Sequence, residues 1–157
     1  MKVVLFGLTF LLAASVATGA STAAVALEPR VAPAAPLFIS VPRGGFPNTF
    51  PFGQCTWWVA FNRHVTWGGN ARDWLANAAA QGVPTSSTPS VGAIVVYLPG
   101  GLYSDLGHVA VVVAVKADRY TVSEMNAVGW GQVNSRVVPW PDPHVAGFIP
   151  AVAGEIP

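Results

Sequence analysis

The chain has 157 residues, enough for one domain and an appendage. It is 52% hydrophobic and 10% charged, whereas an average soluble domain carries roughly 25% charged residues; this chain is too apolar to be disordered. Eight basic residues against seven acidic ones give a net charge of +1, which excludes a nucleic-acid binder that works through a dense basic face. The single cysteine, Cys55, excludes an intrachain disulfide and a multi-cysteine metal site.

After Lys2 no charge occurs before Glu28. Residues 3–14 form an apolar core. Small residues follow, ending in Ala24-Val25-Ala26, with Ala20 as a competing cleavage point. A basic start, a short apolar core and an A-x-A exit predict a secretory signal peptide over 1–26. The rival is an uncleaved anchor, which needs about 20 predominantly apolar residues; the Ser, Thr and Gly of the second half argue against it. The expected location is therefore secreted, periplasmic or cell-wall, with no stable membrane anchor after processing. In an exported chain a lone thiol is either buried as a small hydrophobe or used chemically.

Residues 27–45, with Pro29, Pro33, Pro36, Pro42 and Gly44-Gly45, predict a Pro/Ala-rich linker. A globular domain is expected over 46–150 and a short tail over 151–157. Within the domain, 55–64 lacks breakers, and Trp58, Phe61 and Val65 fall at helical spacing, which predicts one buried helical face. Asn70 is placed to cap a second helix that Gly82 closes and Pro84 follows. The vocabulary then changes to strands: 92–97, bounded by Pro89 and Pro99-Gly100-Gly101; 108–115, apolar on both faces and so a central buried strand; 120–126; and shorter candidates at 132–138 and 146–149. Helices first and strands afterwards, with short connections, predict an α+β fold in which N-terminal helices pack on an antiparallel β-sheet.

Three short motifs can carry chemistry. Cys55 opens a helix two residues after Gly53, where free backbone N–H groups and the helix dipole favour a thiolate and can hold an oxyanion. His108 follows Gly107 at the head of a strand, on the rim of the sheet; the plain alternative is a satisfied core histidine. Glu124 and Asn126, two apart on a strand, project to one face, and an interior carboxylate needs a partner such as a histidine N–H. His64, at a helix end, and His144, in a loop, show no metal-ligand spacing with Cys55, so no zinc site is expected.

In order and spacing, Gly53-Gln54-Cys55-Thr56-Trp57, Pro89, 92–96, Gly107-His108-Val109-Ala110-Val111, Ser123-Glu124-Met125-Asn126 and Gly147-Phe148-Ile149 resemble a CHAP domain, the cysteine, histidine-dependent amidohydrolase/peptidase family within the papain-like group that includes NlpC/P60 peptidases. The resemblance spans nearly all of 46–150. It implies a papain-like α+β fold and peptidoglycan as substrate. The scissile bond would join the muramoyl lactyl group to L-alanine or lie within the stem or cross-bridge peptide. It makes Cys55 the nucleophile, His108 the general base and then acid, Glu124 and Asn126 the pair that orients the histidine, and Gln54 an oxyanion-hole candidate. It implies no cofactor. Some members bind calcium through aspartates just before the cysteine; here 45–52 holds no carboxylate, so no metal is expected.

Trp57, Trp130 and Trp140 are the tryptophans best placed to line a substrate groove, with core packing as the alternative for each. The expected protein is a monomer acting on glycan strand and stem peptide. Its rivals are a secreted antibacterial effector with the same chemistry and a non-catalytic wall-binding protein that keeps the fold. A register test accompanies the assignment: His108 shares a face with Asn126 only if the turn near 116–119 has odd length or a bulge compensates, because a one-residue slip flips every side chain.

Overall fold

The computed structural model describes residues 44–153 and Glu155. The signal-peptide assignment and almost all of the linker assignment lie outside these residues. Among the described residues no helix is long and apolar enough to cross a membrane.

Helix α1 (Cys55–Asn62) opens after the extended Gln54. Its buried residues are Cys55, Thr56, Val59, Ala60 and Asn62, so the expected face of Trp58, Phe61 and Val65 is corrected. Trp58 and Phe61 are only half-buried. The reason for Trp58 is its indole N–H, which donates to Ser123 Oγ at 3.1 Å and so keeps the ring at the rim. The helix stops because Arg63 turns extended and drives a buried side chain onto the carbonyls of Gly92 and Pro150 and the carboxylate of Glu155. Glu155, within the expected tail, is thus tied to the domain at 2.9 Å.

A 3₁₀ turn (Ala71–Asp73) leads into α2 (Trp74–Ala80). Asn70 precedes the turn, but its side chain makes no capping bond; its carbonyl accepts from Asp73 N–H at 2.9 Å instead. Gly82, with φ +75°, closes α2 as expected.

Five strands follow: β1 (Ile94–Tyr97), β2 (His108–Lys116), β3 (Arg119–Met125), β4 (Val133–Pro139) and β5 (Val145–Ile149). They form one sheet in the order β4-β3-β2-β1-β5, and every pairing is antiparallel. The fold is α+β, as expected, and β2 is the central strand. Its valines and alanines are apolar on both faces because both faces are covered. Ile94, Val96, Val109, Val111 and Ile149 pack under Val59, Ala60, Trp67, Trp74 and Ala78 of the helical layer. Ala93, Val95, Tyr97, Ala110, Val112, Tyr120, Val122, Val138 and Phe148 form a second cluster on the opposite face.

The β2–β3 hairpin resolves the register test through its second option. Lys116 pairs with Arg119, so the turn holds two residues and not an odd number. A register shift between Val112 and Ala114 then restores Val112↔Val122 and Val111↔Ser123. The bulge changes the parity. Continued to the strand head, this register sets His108 across from Asn126 and puts the His108 and Glu124 side chains on the face of the second cluster.

Candidate active site

Cys55 is delivered by a glycine turn. Gly53 has φ +90°, and a Cβ there would sit 2.5 Å from the Trp130 indole. Only glycine lets the chain turn under that ring. Cys55 then occupies the first position of α1, where its N–H has no intrahelical acceptor. Burial pushes the thiol pKa up, but hydrogen bonding and charge from His108, together with the N–H groups of Val109 and Thr56, outweigh it and hold the pKa below the usual thiol value.

His108 is delivered in the same way. Gly107 has φ +71°, and a Cβ there would lie 2.8 Å from the Tyr97 carbonyl and 2.9 Å from Arg72 N. The His108 Nε2–H donates to Glu124 Oε2 at 3.0 Å, so the ring nitrogen left for the thiol is Nδ1. The ring turns its Nε2 edge to the carboxylate because Glu124 lies across the hairpin while Cys55 approaches from α1. Burial works against the imidazolium, but Cys55 and Glu124 raise the His108 pKa to about 9. A lowered thiol and a raised imidazole together favour a thiolate–imidazolium pair.

Glu124 is fully buried and has both oxygens occupied. Oε1 accepts from Asn134 Nδ2 and Arg136 Nε, each at 2.9 Å. Oε2 accepts from His108 and, at 3.2 Å, from Arg136. Burial alone would raise its pKa; these partners hold it at about 2.

The expected pairing of Glu124 with Asn126 on the histidine is corrected. β3 ends at Met125, and Asn126 has φ +66°, so the alternation of side chains stops before it. Its Nδ2 donates to Gln54 Oε1 at 3.2 Å. This contact occupies the Gln54 oxygen and leaves its Nε2 donors for the cleft. Cys55, His108, Gln54 and Asn126 all line one cleft of about 390 Å³, with Phe50, Leu102 and Ser104 among its other walls.

None of the three groove tryptophans lines that cleft. Trp130, 67% exposed, stands edge-on to Phe52, whose ring also meets Trp57 at 4.8 Å. With Phe61 stacked on Trp57 at 5.0 Å, they form an aromatic ledge next to the Cys55 turn. Trp140 lies elsewhere: it is half-buried against Tyr120 and Phe148 in the second cluster, and its backbone N–H donates to the Asp118 carbonyl. Among the described residues no group of three or more His, Cys, Asp or Glu gathers as a metal site.

Sequence reasoning missed Asn134, Arg136 and Tyr103. The Tyr103 ring lies flat on His108, with centroids 5.0 Å apart and planes at 6°. The available signal was the candidate strand at 132–138: Asn134 and Arg136 are two apart and share a face, and a buried Glu124 requires donors.

Known proteins share parts of this sequence and of this fold. Over 101 residues the chain is 39% identical to the probable autolysin SsaALP of Staphylococcus aureus, covering 59% of this chain and 36% of that protein. It is 42% identical over 98 residues to the staphylococcal secretory antigen SsaA of the same species, covering 58% of this chain and 36% of the antigen. The chain therefore spans about a third of the length of these curated relatives. A crystal structure of an N-acetylmuramoyl-L-alanine amidase from Staphylococcus aureus superposes with a TM-score of 0.50 at 33% identity, over 55% of this chain and 27% of that one. The family model of the CHAP domain matches residues 45–126, more than half of the sequence, and the chain belongs to the CHAP domain family.

Proposed function

We propose that this protein is an exported peptidoglycan hydrolase that cleaves an amide bond by thiol chemistry. The observation that carries the reading is the Cys55 thiol at the head of α1, in a cleft, against a histidine whose far nitrogen is held by a buried carboxylate. A buried cysteine that served only packing would need none of these neighbours. The names of the autolysin and amidase relatives support the wall as substrate. The charge-free stretch at 3–27 and the secretory name of one relative support export.

In this reading the Cys55 thiolate attacks the amide carbonyl carbon. The oxyanion that forms is met by the Cys55 N–H and the Gln54 Nε2 donors. His108 Nδ1–H passes its proton to the leaving amine as the C–N bond breaks, which leaves a thioester on Cys55. Neutral His108 then takes a proton from water. The hydroxide adds to the thioester carbonyl and the C–S bond breaks. The products are a carboxylic acid, which loses its proton to solvent and becomes a carboxylate, and the restored thiolate–imidazolium pair. Glu124 orients the ring throughout, while Asn126 acts one step back by holding Gln54. No step needs a metal or a cofactor. The scissile bond is either that between the muramoyl lactyl group and L-alanine or one within the peptide. The ledge of Phe52, Trp57 and Trp130 offers apolar faces to the part of the substrate outside the cleft.

Digestion of purified sacculi followed by mass spectrometry of the fragments tests this reading. New amine and carboxylate ends at a single type of amide bond are expected. Intact sacculi, or cleavage that persists in Cys55→Ala, would overturn it.

A further inference from the structure

The His108 ring is constrained in two directions, and both constraints lead to one side chain. Its edge is held by Glu124 through Nε2. Its face is covered by Tyr103, whose ring is nearly parallel to it. Arg136 reaches both. Its Nε and one terminal nitrogen grip the two oxygens of Glu124 at 2.9 and 3.2 Å, and the same terminal nitrogen donates to the Tyr103 hydroxyl at 2.6 Å. The guanidinium also lies over the Tyr97 and Tyr103 rings at 5.7 and 5.9 Å. A planar fork can satisfy a carboxylate side-on and a hydroxyl together; a point-charge ammonium cannot. Tyr103 sits on the long connection between β1 and β2, so this contact also ties that loop, and with it one wall of the cleft, to β4.

The charges around the ring make Arg136 unusual. His108 and Glu124 are faced by Cys55 from α1, Tyr97 from β1, Asn134 and Arg136 from β4, and Tyr103 from the β1–β2 connection, while Tyr120 from β3 bonds the Tyr97 hydroxyl behind them. Asp142, beyond β4, adds a negative field at Tyr103 and Tyr120. Burial pushes the Tyr97, Tyr103 and Tyr120 hydroxyls up, so they stay neutral. Among these groups Arg136 alone is a permanent cation. We propose that Arg136 is the positioning residue of the site: its fork fixes both Glu124 and Tyr103 around His108, and its charge offsets that of Glu124 so that the imidazolium can still give up its proton. This rests on the hydrolase reading for its purpose, but the geometry it invokes does not.

The test is an NMR titration of the His108 imidazole, assigned with a His108 variant, in the full chain and in Arg136→Met, Arg136→Gln and Arg136→Lys. Without the guanidinium charge, Glu124 acts on the imidazolium unopposed. The His108 titration should therefore rise by about one pH unit or more in both the Met and Gln variants. Lys restores the charge, so its titration should return close to that of the wild type, while wall hydrolysis at pH 7 stays reduced by up to about a hundred-fold because the fork is gone. The Gln variant keeps hydrogen-bonding capacity and carries the test if Met does not fold. An unchanged titration in the neutral variants, or a Lys variant displaced as far as Met, would overturn the proposal. Failure of the hydrolase reading would be seen separately, as intact sacculi in a wild-type chain whose His108 titration still responds to Arg136.

Discussion

The two faces of the sheet are held by different physics. Under the helices, Ile94, Val96, Val109 and Val111 pack with Val59, Trp74 and Ala78 in an apolar cluster. On the other face the apolar cluster of Val95, Ala110, Val112 and Val122 gives way at one end to Tyr97, Tyr103, His108, Glu124 and Arg136. The first face tolerates a change of shape at a cost that scales with the cavity left behind. The second is a polar network in which each member satisfies another, so removing one strands its partners in a low-dielectric site. The contrast teaches that stability and reactivity are separable here, because Cys55 stands where α1 meets the polar end.

The sharpest break in that contrast is Cys55→Ala. Wall clearing, read as loss of turbidity, should disappear. The thermal midpoint should move little, since losing one sulfur removes far less buried volume than truncating a large core side chain. Clearing near the wild-type rate would remove the thiol from the chemistry.

Trp74→Ala probes the opposite face. Trp74 is fully buried beneath Trp67 and Phe50, and its truncation should cost about 3–5 kcal/mol. In the fraction that remains folded at low temperature, Cys55 should keep the wild-type pH dependence of alkylation. A displaced dependence would mean that the two faces are coupled.

A smaller effect separates them by pH. The Glu124 carboxyl, held at about 2 against its ordinary 4.5, stabilises the folded chain fully above 4.5, and that contribution is lost as pH falls towards 2. Denaturant melts should show wild type weakening over this window. Glu124→Gln, less stable at pH 7, should weaken less over the same window. Parallel curves would contradict the buried network. Smallest of all, excess chelator should leave clearing unchanged; a loss restored by calcium would mean that an ion acts where the stretch 45–52 offers no carboxylate.

Much of this was legible in the residues. β2 reads as central because its valines and alanines are apolar on both faces, and glycines before Cys55 and His108 mark chain reversals that place chemistry at a helix head and a strand head. Glu124 announces itself as a carboxylate after the uncharged stretch 120–123. What stayed hidden depends on distances along the chain that no local pattern encodes. Arg136 reaches Glu124 only through the β3–β4 register, with Glu124 opposite Asn134. Tyr103 finds the His108 face only through the path of the β1–β2 connection. Asn126 looked like the partner of Glu124 because strand alternation was carried one residue too far, past the end of β3. Trp140 looked available because its sequence neighbours are loop-like, although the chain folds it back onto Phe148.

The proposed chemistry needs Cys55 and His108 as a thiolate and an imidazolium. The most direct measurement is the rate of Cys55 alkylation by iodoacetamide at pH 6, in wild type and in His108→Ala. An ordinary thiol with a pKa near 8.5 is only about 0.3% thiolate at that pH. Rapid alkylation of the wild type is expected, with a fall to the rate of an ordinary buried thiol in His108→Ala. Equal, slow rates in the two proteins would contradict it.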